Sequence, residues 1–230
     1  YLNSTGNDGV LDCINCPAGK YLNSTGNDDL ADCVDCVCGT YSDVAGADNV
    51  DTCQQCVAGK FAVGTGNNDE EDCEECVAGK YSAEPESCFD TCVQCAAGKY
   101  SSAEGADSNS TCQDCAEGKY STMPGAISED TCQDCVEGKY LDTPGNDAAE
   151  DCSACACGKY STTSGATSID TCDACVAGKY APYKGNTNES ACVECAAGKY
   201  FEDPAQCADP CDECVAGKYL ESTGNDDPAD

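Results

Sequence analysis

Of the 26 cysteines in this chain, all but four stand in C-x-x-C pairs, opening at Cys13, Cys33, Cys53, Cys73, Cys92, Cys112, Cys132, Cys152, Cys172, Cys192 and Cys211. Paired cysteines can do three kinds of chemistry. A redox dithiol needs one exposed motif with a depressed thiol pKa, and eleven copies argue against that use. Structural zinc is a second reading, because C-x2-C-x16-C-x2-C falls within a known ligand spacing. The third is a run of disulfides, which suits an uninterrupted array with no histidine and an unpaired motif at each end. No acid–base pair stands out from the repeat, so we expect no enzyme activity, no catalytic residue and no bound metal.

These pairs must be positioned by something very small. Each is followed by Gly, Lys (Thr40 in one copy) and an aromatic ring in the pattern C-x-x-C-x-x-G-K-Y, and the whole returns about every twenty residues. A period this short marks a stack of repeats in which no unit folds alone. The array fills residues 1–230. The ring is Tyr at 21, 41, 81, 100, 120, 140, 160, 180, 200 and 219, and Phe at 61. With few aliphatic residues per unit, the ring is the largest apolar group available and is expected to stack on a neighbouring disulfide and on its own copies. Five residues beyond it a second glycine, as at Gly26, Gly46, Gly105, Gly125, Gly145 and Gly165, supplies the positive φ of a tight turn. Segments between turns are too short for helical periodicity. The predicted fold is a small disulfide-rich all-β rod of two-stranded ribbons and turns, with almost no helix.

Composition alone would suggest a disordered chain: net charge is −32, Trp is absent and aliphatics are scarce. Cysteine reverses that inference, since 26 in 230 residues is about 11%, above the roughly 8–10% of a disulfide scaffold. Disulfides imply an extracellular or cell-surface location. Glycosylation sequons at Asn3, Asn23, Asn109 and Asn188 agree with it. The 43 acidic residues against 11 lysines make nucleic acid an improbable partner. They imply a solvated surface that resists clumping, with Ca²⁺ at most a weakly held counterion and no cofactor. No signal peptide and no membrane contact is legible in this segment. Both ends fall inside a repeat, so the chain reads as part of a longer polypeptide.

Which cysteines pair is not fixed by sequence alone. Spacing favours a ladder in which the second cysteine of each motif bonds the first of the next. That gives Cys16–Cys33, Cys36–Cys53, Cys56–Cys73, Cys76–Cys92, Cys95–Cys112, Cys115–Cys132, Cys135–Cys152, Cys155–Cys172, Cys175–Cys192 and Cys195–Cys211. Each such loop would contribute about 3 kcal/mol in the chain-entropy model. Cys13 and Cys214 would find partners beyond the ends.

A longer period overlies the short one. The extra cysteines Cys38 and Cys157 lie 119 residues apart, as do Cys88 and Cys207. The shortened unit GKYSAEPESC returns as GKYFEDPAQC, and GKYLNSTGND returns as GKYLDTPGND. Six repeats therefore form a superunit, approximately 20–138, with an incomplete second at 139–230. The extra cysteines read either as a staple within one superunit, Cys38 to Cys88, or as cross-links between neighbouring strands. Ten of the eleven lysines occupy the Gly-Lys-aromatic slot. They are expected to form ladders with carboxylates whose role is register, since exposed pairs contribute only about 0–1 kcal/mol.

The pattern C-x-x-C-x-x-G-K-Y-S-x-x-x-G-A-x-S-x-x-x-C, as at Cys112–Cys132 and Cys152–Cys172, resembles the ephrin-receptor-like cysteine-rich repeat, itself similar to the first loop of TNF-receptor cysteine-rich domains. The resemblance covers the whole chain. It implies an elongated extracellular array of disulfide-linked ribbons and supports the Cys16–Cys33 type of pairing. Near-identical copying with a six-unit superperiod departs from receptor ectodomains. The resulting expectation is a self-associating extracellular filament protein, such as a flagellar hair (mastigoneme) shaft. A receptor or adhesion ectodomain and an acidic calcium-binding matrix protein are the alternatives.

Overall fold

In the computed structural model, residues 13–201 and 210–227 are described. The chain is a small disulfide-rich all-β protein of tandem repeats of about twenty residues. A turn over Ala116–Lys119 is closed by the Lys119 N–H donating to the Ala116 carbonyl at 3.1 Å, with Gly118 at φ 80 in its third position. Only glycine adopts that conformation without strain. Lys119–Tyr120 then pairs antiparallel with Gln133–Asp134, in the register Lys119↔Asp134 and Tyr120↔Gln133. Between the two strands runs a loop with a second positive-φ glycine, Gly125, and a single 3₁₀ turn, Glu129–Thr131.

Short polar side chains start these 3₁₀ turns, as loop chemistry leads one to expect. In the turn Leu30–Asp32, the Asp29 carboxylate accepts from the Ala31 N–H at 2.9 Å. Asp32 accepts from the Asp29 N–H at 3.1 Å, completing a reciprocal cap. Asn49 and Asn188 cap their turns through the same side-chain-to-backbone bond.

The core is made of sulfur and small side chains. The second cysteine of each motif from Cys16 to Cys195 is buried, almost completely at Cys36, Cys95, Cys115 and Cys135. The residue after the ring is buried too, whether it is Ser42, Ala62, Ser101, Ser121 or Leu141. The scarce aliphatics are largely excluded: Val37, Val57, Val77, Val136, Val176 and Val215 are all exposed. The rings are half-buried. Tyr120 packs against Cys135, Leu141 and Cys152, and Tyr41 packs against Cys56, Ala62 and Cys73. Each of these rings thus covers the disulfide of the following repeat. Tyr219 departs from this and is 79% exposed.

By packing, the chain divides into two compact units. One comprises Tyr1–Ala96, Tyr100–Gln113 and Gly125–Ser128; the other comprises Ala97–Lys99, Asp114–Pro124 and Glu129–Asp230. Both are built from the same repeat and the same repeat-to-repeat bonds.

Candidate functional site: the seam between repeats

Ten bridges join the second cysteine of one motif to the first of the next: Cys16–Cys33, Cys36–Cys53, Cys56–Cys73, Cys76–Cys92, Cys95–Cys112, Cys115–Cys132, Cys135–Cys152, Cys155–Cys172, Cys175–Cys192 and Cys195–Cys211. Their Cα–Cα distances are those of ordinary bridges, for instance 5.7 Å at Cys115–Cys132. These sulfurs are therefore bonded to one another and not held as thiolate ligands. An eleventh bridge joins Cys38 to Cys88 across a sequence separation of 50, within one chain. Cys157 is also disulfide-bonded. Cys207 and the sequon Asn3 lie outside the described residues. Cys13 and Cys214 are free thiols, the first exposed and the second half-buried.

Backbone bonds sew the repeats together beside the bridges. The Gly118 N–H donates to the Leu141 carbonyl at 2.8 Å, and the Leu141 N–H donates to the Ala166 carbonyl at 2.9 Å. The Gly165 N–H donates to the Cys135 carbonyl, also at 2.8 Å. The same three bonds recur at Gly79, Ser101, Ala126, Gly125 and Cys95. They satisfy backbone groups that the disulfides and rings would otherwise bury unpaired. Because a backbone bond does not depend on the side chain, serine is tolerated at the buried position after the ring. Its hydroxyl adds a local contact, as where the Ser121 Oγ accepts from the Met123 N–H.

Side chains vary in pairs along this seam. Joined by the bond just described, Leu22 meets Ala47 and Leu141 meets Ala166; Ser42 meets Asn67, Ser121 meets Asn146 and Ser161 meets Asn186. The Leu–Ala and Ser42–Asn67 pairs return 119 residues later. Leucine meets alanine in both of its copies, whereas the same bond joins Ser101 to Ala126 and Phe201 to Asn225 elsewhere. Sequence reasoning alone misses this pairing; its signal is the co-variation of the residue after the ring with the residue after the next repeat's turn glycine.

Where the residue before the second cysteine is acidic, the lysine lies across its own ribbon from it, whereas Lys139 and Lys159 face Ala154 and Ala174. Lys119 and Asp134 are 3.0 Å apart, Lys99 and Asp114 2.6 Å, and Lys60 and Glu75 3.2 Å. The acid also reaches forward: Glu194 accepts from the Thr223 hydroxyl at 2.7 Å as well as pairing with Lys179, so successive repeats meet at one carboxylate. The Thr223 hydroxyl and then the Lys179 ammonium hold the Glu194 carboxyl below its ordinary value. At the shortened repeat Lys80 lies opposite Gln94 and pairs instead with Asp90, at 3.3 Å. The Cys92 backbone N–H, followed by Lys80, lowers the Asp90 pKa.

The sequon asparagines Asn23, Asn109 and Asn188 are all exposed. Asn188 also works within the fold, its carbonyl oxygen accepting from the Ser190 N–H at 3.1 Å. Among the described residues no group of three or more metal-binding side chains converges, and no helix is long and apolar enough to cross a membrane. Neither a family model nor a curated protein matches the chain.

Proposed function

We propose that this chain is a structural protein of the cell exterior that assembles into a filament or surface appendage, such as the shaft of a flagellar hair. One observation carries the reading. The interactions the sequence repeats most faithfully build each unit and join it to the next: the cysteine ladder, the Gly118-type amide and the turn glycines. A repeat so bonded can be added to another of its kind without changing either one's contacts, which makes length the property that selection can adjust. Eleven bridges in the described residues are consistent with an extracellular or secreted protein. The acidic surface and exposed sequons fit the same setting, with glycans and further copies of the chain as partners.

Negative-stain microscopy of the native material tests the proposal. Fibres with an axial spacing tied to the 119-residue superunit are expected. A preparation containing only isolated particles, at concentrations where the native structure persists, would overturn it.

A further inference from the structure

The ladder has a covalent consequence separate from its effect on folding. Starting at Cys16, one can travel to Cys214 along bonds while using only the bridges and the three-residue C-x-x-C steps between them. Every ribbon, turn glycine and loop hangs off this path as a side branch. We propose that this path is a covalent spine that carries tension along the array, and that the Cys38–Cys88 bridge gives one stretch of it a second, parallel strand. The inference rests on the structural reading above for its use, though not for its geometry.

Path lengths distinguish the two strands. Cys36 and Cys92 are connected along the ladder by three bridges, Cys36–Cys53, Cys56–Cys73 and Cys76–Cys92, and by two C-x-x-C steps. They are also connected by two residues to Cys38, the single bridge to Cys88, and four residues to Cys92. Both routes contain the same length of polypeptide. The staple route omits two bridges, so it is shorter by about 11 Å and becomes taut first. Any one of the three ladder bridges it shields can then open without lengthening the chain. No bridge parallels Cys115–Cys132 in this way among those described. Opening that one bridge releases the loop it closes, lengthening the path by about 50 Å. Cys157, 119 residues after Cys38, is disulfide-bonded too.

Single-molecule stretching of the whole chain, held by its two termini, tests the proposal. Between Cys16 and Cys214 the oxidised chain should reach about 150 Å, and after reduction by a dithiol about 700 Å, roughly a four- to fivefold increase. Equal lengths before and after reduction would overturn the spine. The maximal length is set by bonds, so the variants remain informative even if a repeat loses its fold. Removing Cys115 and Cys132 together, as Cys115→Ala and Cys132→Ala, should add about 50 Å. Removing Cys56 and Cys73 in the same manner should leave the length unchanged. Adding Cys38→Ala and Cys88→Ala to that second variant should restore the increase. If the Cys56/Cys73 variant lengthens as much as the Cys115/Cys132 variant, the parallel strand does not exist. A failure to find fibres by microscopy would leave all of these lengths as stated, so the two ideas fail separately.

Discussion

A Cβ atom placed on Gly118 would lie 2.2 Å from the carbonyl oxygen of Gly165, two repeats further along the chain. The same approach is found between Gly59 and Gly105, Gly79 and Gly125, and Gly98 and Gly145. Each of these repeats therefore touches not only its neighbour but the one beyond, through backbone that no side chain may separate. Gly118 is also held at φ 80, so two independent constraints demand glycine there.

These constraints can be measured apart. Gly26 has nearly the same φ, 81, yet a Cβ on it would meet nothing within 4 Å. Gly26→Ala should therefore cost only the conformational penalty, about 1–2 kcal/mol. Gly118→Ala carries that penalty and also forces backbone apart, and should cost several kcal/mol, at the upper end of single substitutions. Calorimetric unfolding midpoints under oxidising conditions check this. Equal losses at the two sites would show that the two-repeat contact is not a real constraint.

The paired variation along the seam predicts coupling. Ser121 is 1% exposed, and Ser121→Leu inserts a much larger side chain beside the strand that binds Asn146. Overpacking of this kind costs about 1–3 kcal/mol. Where leucine occurs naturally, at Leu22 and Leu141, alanine stands on the other side of the bond. Adding Asn146→Ala should therefore recover part of the loss, with a coupling energy between about 0.5 and 3 kcal/mol in a double-mutant cycle. Additive losses would mean that the recurrence of these pairs is duplication history only.

Much of this fold is legible because its causes are local or covalent. The cysteine period, the turn glycines and the ribbons between them follow from chemistry within about twenty residues, and the described ribbons are accordingly two-stranded with nearly no helix. The seam is less legible. Ser42, Ser101, Ser121 and Ser161 read as loop residues, yet they are buried, because the bonds that hold them are made by their backbone. Nor does any side chain announce the Gly118–Gly165 contact: glycine at a turn already has a sufficient local reason, so its second, distant reason is hidden. The lysines, whose regular spacing suggests ladders running along the array, mainly pair across a single ribbon, since Lys119 and Asp134 are direct strand partners.

Acid should loosen the shortened repeat. The Cys92 N–H and Lys80 stabilise the Asp90 carboxylate, so its folded pKa lies below the unfolded one. A lowered pKa means that this contribution is complete above the ordinary carboxylate range and is lost as pH falls through the folded value. Asp90 is largely solvated, so the effect is small. Asp90→Asn should flatten the acid limb of the stability curve while leaving its neutral plateau slightly lower. An unchanged acid limb in chemical denaturation from pH 6 to about 2 would show that the pair contributes nothing.

Glu86 is the residue on which the shortened repeat turns. Where other repeats place a positive-φ glycine, Glu86 takes φ 57, and its carbonyl oxygen approaches Gly39 nearly as closely as that of Gly165 approaches Gly118. The Cys38–Cys88 bridge flanks both residues of that contact and fixes covalently what a glycine turn fixes elsewhere. A side chain in this conformation costs about 1–2 kcal/mol. The Glu86 carboxylate recovers a little of it by accepting from Gln55, in an exposed hydrogen bond. Glu86→Gly should therefore raise stability by about 1 kcal/mol. Opening the staple with Cys38→Ala and Cys88→Ala should cost more, about 3 kcal/mol, because the ladder already shortens the loop it closes. The glycine variant should then offset only a fraction of that loss. Denaturant midpoints of the three proteins decide the matter: a decrease on Glu86→Gly would mean that the Gln55 bond, and not the staple, holds the turn.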